Sequence, residues 1–193
     1  QAECAILQDQ SIYLASEKST KNNLKKVADN LKPMFTIKHE QWKNVKFGSQ
    51  PRSLIYSDHT QIFSIDTRIK MTQNKKDLLN VKNKYLKSSH EKIQCNQVLS
   101  SDYNAHLVCL SKCLLLLDER YATRPLLMWT HSLKSPSILM NNFHLSNRDY
   151  LILSDSNQIF SYEFSFKEQK TPVSYNFPLQ LDSPKDVLNY LQD

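Results

Sequence analysis

An all-β fold of WD-like, four-stranded β-propeller blades is predicted by three observations. A short apolar hairpin recurs four times, apolar segments flank it at similar offsets, and those segments are rich in β-branched and aromatic residues. The hairpins are CAILQDQSIYLAS, SLIYSDHTQIFSID, HLVCLSKCLLLLDE and YLILSDSNQIFSYE. Their equivalent second-strand positions, Ile12, Ile62, Leu114 and Ile159, lie 50, 52 and 45 residues apart in succession. Spacings of about 40 to 50 residues are those of propeller blades.

Each element follows from that repeat. In the first full unit, strands a to d are expected at Val45 to Ser49, Ser53 to Ser57, Gln61 to Thr67 and Leu78 to Lys82. The second unit has them at Ile93 to Leu99, Ala105 to Leu110, Cys113 to Glu119 and Pro125 to Trp129. In the third they fall at Ile138 to Leu145, Tyr150 to Ser154, Gln158 to Ser165 and Val173 to Asn176. The unit before them lacks strand a and begins with Cys4 to Leu7 and Ser11 to Ala15, with Met34 to Lys38 as its d. The repeat units are thus 1–41, 42–82, 93–129 and 138–176 inside a propeller region 1–181.

The run CLLLLD is apolar at successive positions, so both of its faces should be covered, and the Arg124-Pro125 that follows breaks a helix. With Gly48 the single glycine, turns such as Ser154-Asp155-Ser156-Asn157 are expected to use Asn and Asp, which tolerate positive φ. Asp182 to Leu191 reads as a short C-terminal helix over 182–193, with Pro184 in its first turn and Val187, Leu188 and Leu191 on one face toward the last blade.

Three full blades and a partial one are fewer than the about 4 to 8 of closed rings, so a piece of a larger ring is expected. The absence of an initiator Met and of any signal-like or membrane-length apolar segment in the sequence fits that expectation. Cys4, Cys95, Cys109 and Cys113 lie in or beside strands without paired CxxC spacing. They are expected as free thiols in a reducing compartment, with no zinc site and no Cys109–Cys113 bridge.

The net charge of +6 is unevenly placed. From Lys70 to Lys92 seven lysines face only Asp77 and Glu91, and Lys18 to Lys32 is a second basic stretch. Both are expected in connections between strands. Lysine-rich loops commonly serve solvation; as a binding feature, Lys75, Lys76, Lys82, Lys84 and Lys87 would contact phosphates without discriminating bases.

No chemistry is indicated. One glycine cannot build a phosphate loop, the six histidines show no metal spacing, and no serine stands in a nucleophile elbow. Asp9, Asp58 and Asp155 recur at hairpin turns and are expected as turn residues. No catalytic residue, cofactor, metal, membrane or small-molecule substrate is expected.

Other residues stand out as structural or interactive. Asp66-Thr67-Arg68 and Asp118-Glu119-Arg120 each close a third strand. There the Asp would accept from turn amides while the Arg pairs across to a neighbouring blade. Trp129 is expected between blades with its indole N–H bonded to a neighbour.

At these residues the chain resembles a family, the propeller-bearing TBP-associated factors specific to RNA polymerase I and their fungal core-factor counterparts. WKNVKFGSQPRSLIYSDHTQIFSIDTR carries Trp42, Phe47, Pro51, Arg52, Asp66 and Arg68 of its pattern. CLLLLDERYATRPLLMWTHSLKSPS carries Asp118, Arg120, Arg124, Pro125, Trp129 and His131, and PLQLDSPKDVLNYL is similar to the stretch after the propeller. The near absence of glycine marks a divergent member. What the resemblance implies is a non-catalytic scaffold in a promoter selectivity complex at ribosomal RNA genes, in the nucleus and nucleolus. Its implied partners are TBP, the other TBP-associated factors, the RNA polymerase I machinery and ribosomal promoter DNA. A WD-like scaffold for trafficking or ubiquitin-ligase work, without nucleic acid, is the alternative left open.

Overall fold

The computed structural model of the chain describes residues 3–8, 11–16, 25–28, 42–69, 75–81, 91–121, 124–137, 139–166 and 171–181. Sixteen strands and one 3-10 turn, Glu119–Tyr121, account for the regular structure among them. They form four antiparallel sheets in two compact units, Gln1–Ser89 and His90–Asp193.

The first sheet runs β1 (Glu3–Gln8), β2 (Ser11–Ser16), β3 (Lys25–Ala28) and the second β4 (Lys43–Phe47), β5 (Ser53–Asp58), β6 (Gln61–Asp66), β7 (Lys76–Asn80), each paired in chain order. The third holds β8 (Ile93–Val98), β9 (Ala105–Leu110), β10 (Cys113–Asp118) and β11 (Leu127–Thr130), also in chain order. In the fourth, β12 (Leu139–Leu145), β13 (Arg148–Ser154) and β14 (Ile159–Phe166) are followed by two short strands on the same edge of β14, β15 (Pro172–Ser174) and β16 (Leu179–Leu181).

The differences from expectation have local causes. Strand β3 falls in the lysine stretch taken as a connection, and β7 begins at Lys76 in the other one. Among the described strands β3 is the outermost of its sheet, where lysine is tolerated because charge discourages further pairing. Met34 to Lys38, the expected fourth strand of the first unit, and the helix at 182–193 lie outside the described residues.

In the fourth sheet, register identifies β16 and not β15 as the counterpart of β7 and β11. Ile62, Leu114 and Ile159 pair with Leu79, Trp129 and Leu181 respectively. The expected strand at Val173 to Asn176 corresponds to β15, which lies along the far end of an eight-residue β14.

The cores explain the apolar runs. Residues 105–110 are buried throughout, and Leu114, Leu115 and Leu116 are at 0 % exposure, as a strand covered on both sides requires. Leu107, Cys109, Leu114 and Leu116 face the fourth sheet's Leu151, Leu153, Phe160, Tyr162 and Phe164. In the other unit, Ala5 and Ile12 of the first sheet meet Leu54, Tyr56, Phe63 and Ile65 of the second.

Turns are closed with little glycine, in two ways. Ser146 and Asn147, with φ of 50° and 63°, make a two-residue hairpin of the I′ kind between Leu145 and Arg148. The turn Ser154 to Asn157, expected to exploit positive φ, has none, while Asp58 and Asp155 are the turn residues expected. Asp58 Oδ1 accepts from the Thr60 amide at 2.7 Å and the Gln61 amide at 3.1 Å, and Asp155 Oδ1 from Asn157 and Gln158 at 2.8 Å each. Their side chains replace a missing backbone acceptor. Gly48 has no positive φ; a Cβ there would stand 2.6 Å from Ser53 Oγ, beside the bond from its own amide to Ser53 O. Close approach, not backbone freedom, is what this position needs.

Candidate functional site

The end of a blade where the first turn meets the close of the third strand is built alike in both units. The Thr67 amide donates to Arg52 O at 2.8 Å, and the Glu119 amide donates to Asn104 O at 2.9 Å. In the second sheet this end gathers Phe47, Pro51, Arg52, Asp66 and Arg68. Arg52 is held at φ 64° in an exposed turn. Arg68 donates through its amide and Nε to Asp66 Oδ1 at 2.9 Å each and through Nη2 to Oδ2. That guanidinium holds the Asp66 carboxyl down at about 2. Trp42 lies at the opposite end, its ring 5.5 Å from that of His59.

In the third sheet each member of Asp118-Glu119-Arg120 has its own task. Asp118 is buried and accepts from the Arg120 amide and Nε at 2.8 Å. Glu119 Oε1 stands 2.6 Å from Nε2 of the buried His106 on β9. Arg120 reaches Asp102 Oδ2 in the β8–β9 turn at 3.3 Å. The expected Arg pairing to a neighbouring blade is therefore replaced by pairing within the blade. Two residues beyond the strand end, the guanidinium folds back onto the Asp as a fork, a geometry carboxylates favour.

An open groove of about 560 Å3 lies at this end, and Asp118, Arg120, Arg124 and Pro125 all line it. Tyr121 and Leu126 from the same segment complete one wall, Thr171 and Pro172 the other. Tyr121 is 65 % exposed. Trp129 and His131 stand elsewhere. The Trp129 ring packs 5.5 Å from Phe164 and 5.9 Å from Tyr162, between the third and fourth sheets, and its Nε1 donates to Ser174 Oγ at 3.1 Å. His131 is buried, and its Nε2 donates to Leu110 O at 2.8 Å, tying the end of β11 to the β9–β10 hairpin.

Of the lysines, Lys75 turns inward: its Nζ is 3.0 Å from Asp77, 3.2 Å from Gln61 Oε1 and 4.5 Å from the Phe63 ring centre. Lys76 is exposed on β7, and Lys82, Lys84 and Lys87 lie outside the described residues. Cys95, Cys109 and Cys113 are free thiols, and burial pushes the Cys113 thiol up to about 12. Thr171 and Pro172 carry no signal in the sequence that marks them for the groove, because the β14–β15 pairing brings them there from a separate segment.

Fold and blade ends together define a β-propeller-type chain. The β-propeller domain of Nup133 from Vanderwaltozyma polyspora is a solved structure it resembles, with a TM-score of 0.51 at 10% identity over 92% of this chain. The chain spans 59% of the length of that domain. At such identity the likeness is one of fold. No protein-family model and no curated protein matches the sequence.

Proposed function

We propose that the chain is part of a non-catalytic propeller scaffold serving an RNA polymerase I promoter selectivity factor. The observation that carries this is the convergence of Asp118, Arg120, Arg124 and Pro125, all within the most distinctive stretch of the family resemblance, on one open groove. Asp118 and Asp102 fix Arg120 in place, while Arg124 and Tyr121 are exposed beside it. Such a pre-ordered rim of cation and aromatic suits recognition of a protein segment. TBP, its associated factors and the polymerase machinery are the proposed partners, in the nucleolus.

The test is affinity purification of the full-length protein from nuclear extract at salt that strips loose contacts. TBP and RNA polymerase I subunits are expected to co-purify, and Arg124→Glu is expected to reduce their recovery. Its own melting should stay within about 0.5 kcal/mol of wild type, as for exposed substitutions generally. Recovery of cytoplasmic coat or ubiquitin-ligase components without TBP would favour the trafficking or adaptor scaffold instead.

The basic segment adds an arm for promoter DNA. Changing Lys76, Lys82, Lys84 and Lys87 to Gln is expected to weaken DNA binding and flatten its salt dependence, by up to about 0.9 in log–log slope for each phosphate that is no longer neutralised. Unchanged affinity removes DNA from the proposal and leaves the protein partners.

A further inference from the structure

We propose that the outward side of the fourth sheet is the seat of a further blade, a four-stranded antiparallel sheet carried by the same polypeptide. Two seated pairs define the rule. Ile12, with Ala5 on the same side of its sheet, is covered by Leu54, Tyr56, Phe63 and Ile65 of the sheet next in the chain. Leu114, the register equivalent of Ile12, is covered by Leu151, Leu153, Phe160 and Tyr162, again from the next sheet.

Ile159 is the third member of this series. It pairs with Ser154 as Leu114 pairs with Cys109, and Ile152 pairs with Ser161 as Leu107 pairs with Leu116. Alternation places Leu139, Phe143, Leu145, Leu179 and Leu181 on the same side as Ile159. Yet Leu107 and Leu114 are fully buried, whereas their equivalents Ile152 and Ile159 are only half-buried and, beside them, Leu139 is 53 %, Phe143 43 % and Leu179 63 % exposed.

This side also carries Asn141 and the Arg148–Glu163 pair, but its exposed apolar residues, on a sheet whose other side is core, make it an interface surface. Both receiving sheets offer large apolar residues at alternate positions of two adjacent strands, and the occupant is inferred to carry the same pattern. Both also follow their partner in sequence, which assigns the occupant to the same polypeptide. That this chain spans 59% of the solved propeller domain leaves room in such a fold for further sheets.

The test uses the full-length protein with a photo-crosslinking benzoyl-phenylalanine at position 143, a near-isosteric change. The expected product is an intramolecular crosslink to a residue outside 1–193 lying in an alternating apolar strand. Ile152→Cys is expected to react with maleimide more than about tenfold more slowly than Tyr103→Cys, because reaction then requires local opening. Hydroxyl-radical footprinting of the unmodified protein, with Phe143, Leu145 and Leu179 protected, checks the result free of any folding defect. Crosslinks to a second copy, to another protein or to residues 182–193 would overturn the proposal. Unprotected side chains with no crosslink would do so as well.

Discussion

Phe164→Ala is expected to destabilise the His90–Asp193 unit by about 3 to 5 kcal/mol, the range for emptying a fully buried aromatic site. Phe164 is at 0 % exposure and belongs to the cluster shared by the third and fourth sheets, with Trp129 at 5.5 Å and Phe166 at 6.4 Å between ring centres. The cavity could not close by a simple shift, because β14 is pinned on one side by β13 and on the other by β15. Urea denaturation should show a lower midpoint at unchanged slope. Since the site joins two sheets, amide exchange should quicken in β9 and β10 as well as in β13 and β14. Faster exchange confined to the fourth sheet would mean that the two do not share a core. Trp129→Phe keeps most of the packing and loses the bond to Ser174, so its cost should be nearer 1 kcal/mol.

The hairpins were legible because strands that are covered must be apolar, and in the β5–β6 and β13–β14 hairpins an Asp also closes the turn. Thus β5, β6, β9 and β10 start at the residues the pattern indicates, and their ends differ by a residue at most. The edge strands were not legible to the same degree. Lys25-Lys26-Val27-Ala28 carries no apolar alternation, and a strand outermost among the described ones is held by backbone pairing to its neighbour, which needs no such pattern. Leu179-Gln180-Leu181 follows Pro178 and is three residues long, too short for a period to show.

The turn residues were identified by type, but with a different mechanism. Asp58 and Asp155 act as acceptors, and among the described residues positive φ is found at Arg52, Ser146 and Asn147. The groove could be anticipated only in part. The Asp118 to Pro125 segment stands out in the sequence, whereas Thr171 and Pro172 reach it through the β14–β15 pairing, which no local pattern encodes.

Asp155→Ala should be the other costly change, at about 2 to 4 kcal/mol, because it strips a buried acceptor from four amides at once. Oδ1 accepts from Asn157 and Gln158 at 2.8 Å, closing the β13–β14 hairpin. Oδ2 accepts from Lys134 and Ser135 at 3.1 Å, fastening the segment between β11 and β12 to that hairpin. One carboxylate therefore joins two turns, and Asp155→Asn separates the roles. Its carboxamide oxygen can still serve Asn157 and Gln158, but its N–H groups then confront the amides of Lys134 and Ser135. Exchange should accelerate at Lys134 and Ser135 before it does at Asn157.

The pH dependence gives an independent check. Burial opposes ionisation of Asp155, yet the amides of Asn157, Ser135 and Gln158 outweigh it and hold the carboxyl down at about 2. In an unfolded chain the same group titrates near 3.9. Above about pH 4 it is ionised in both states, and its contribution to stability is fully present. As the pH falls from about 4 through 2, the unfolded chain binds the proton first and the contribution is lost. The stability difference between wild type and Asp155→Asn should accordingly be largest above pH 4 and shrink toward pH 2. Asp66, also held at about 2, is common to both proteins and cancels from the difference. A gap that stayed constant across the window would show that the variant's cost comes from shape alone and that the carboxylate does not bind the four amides as a charge.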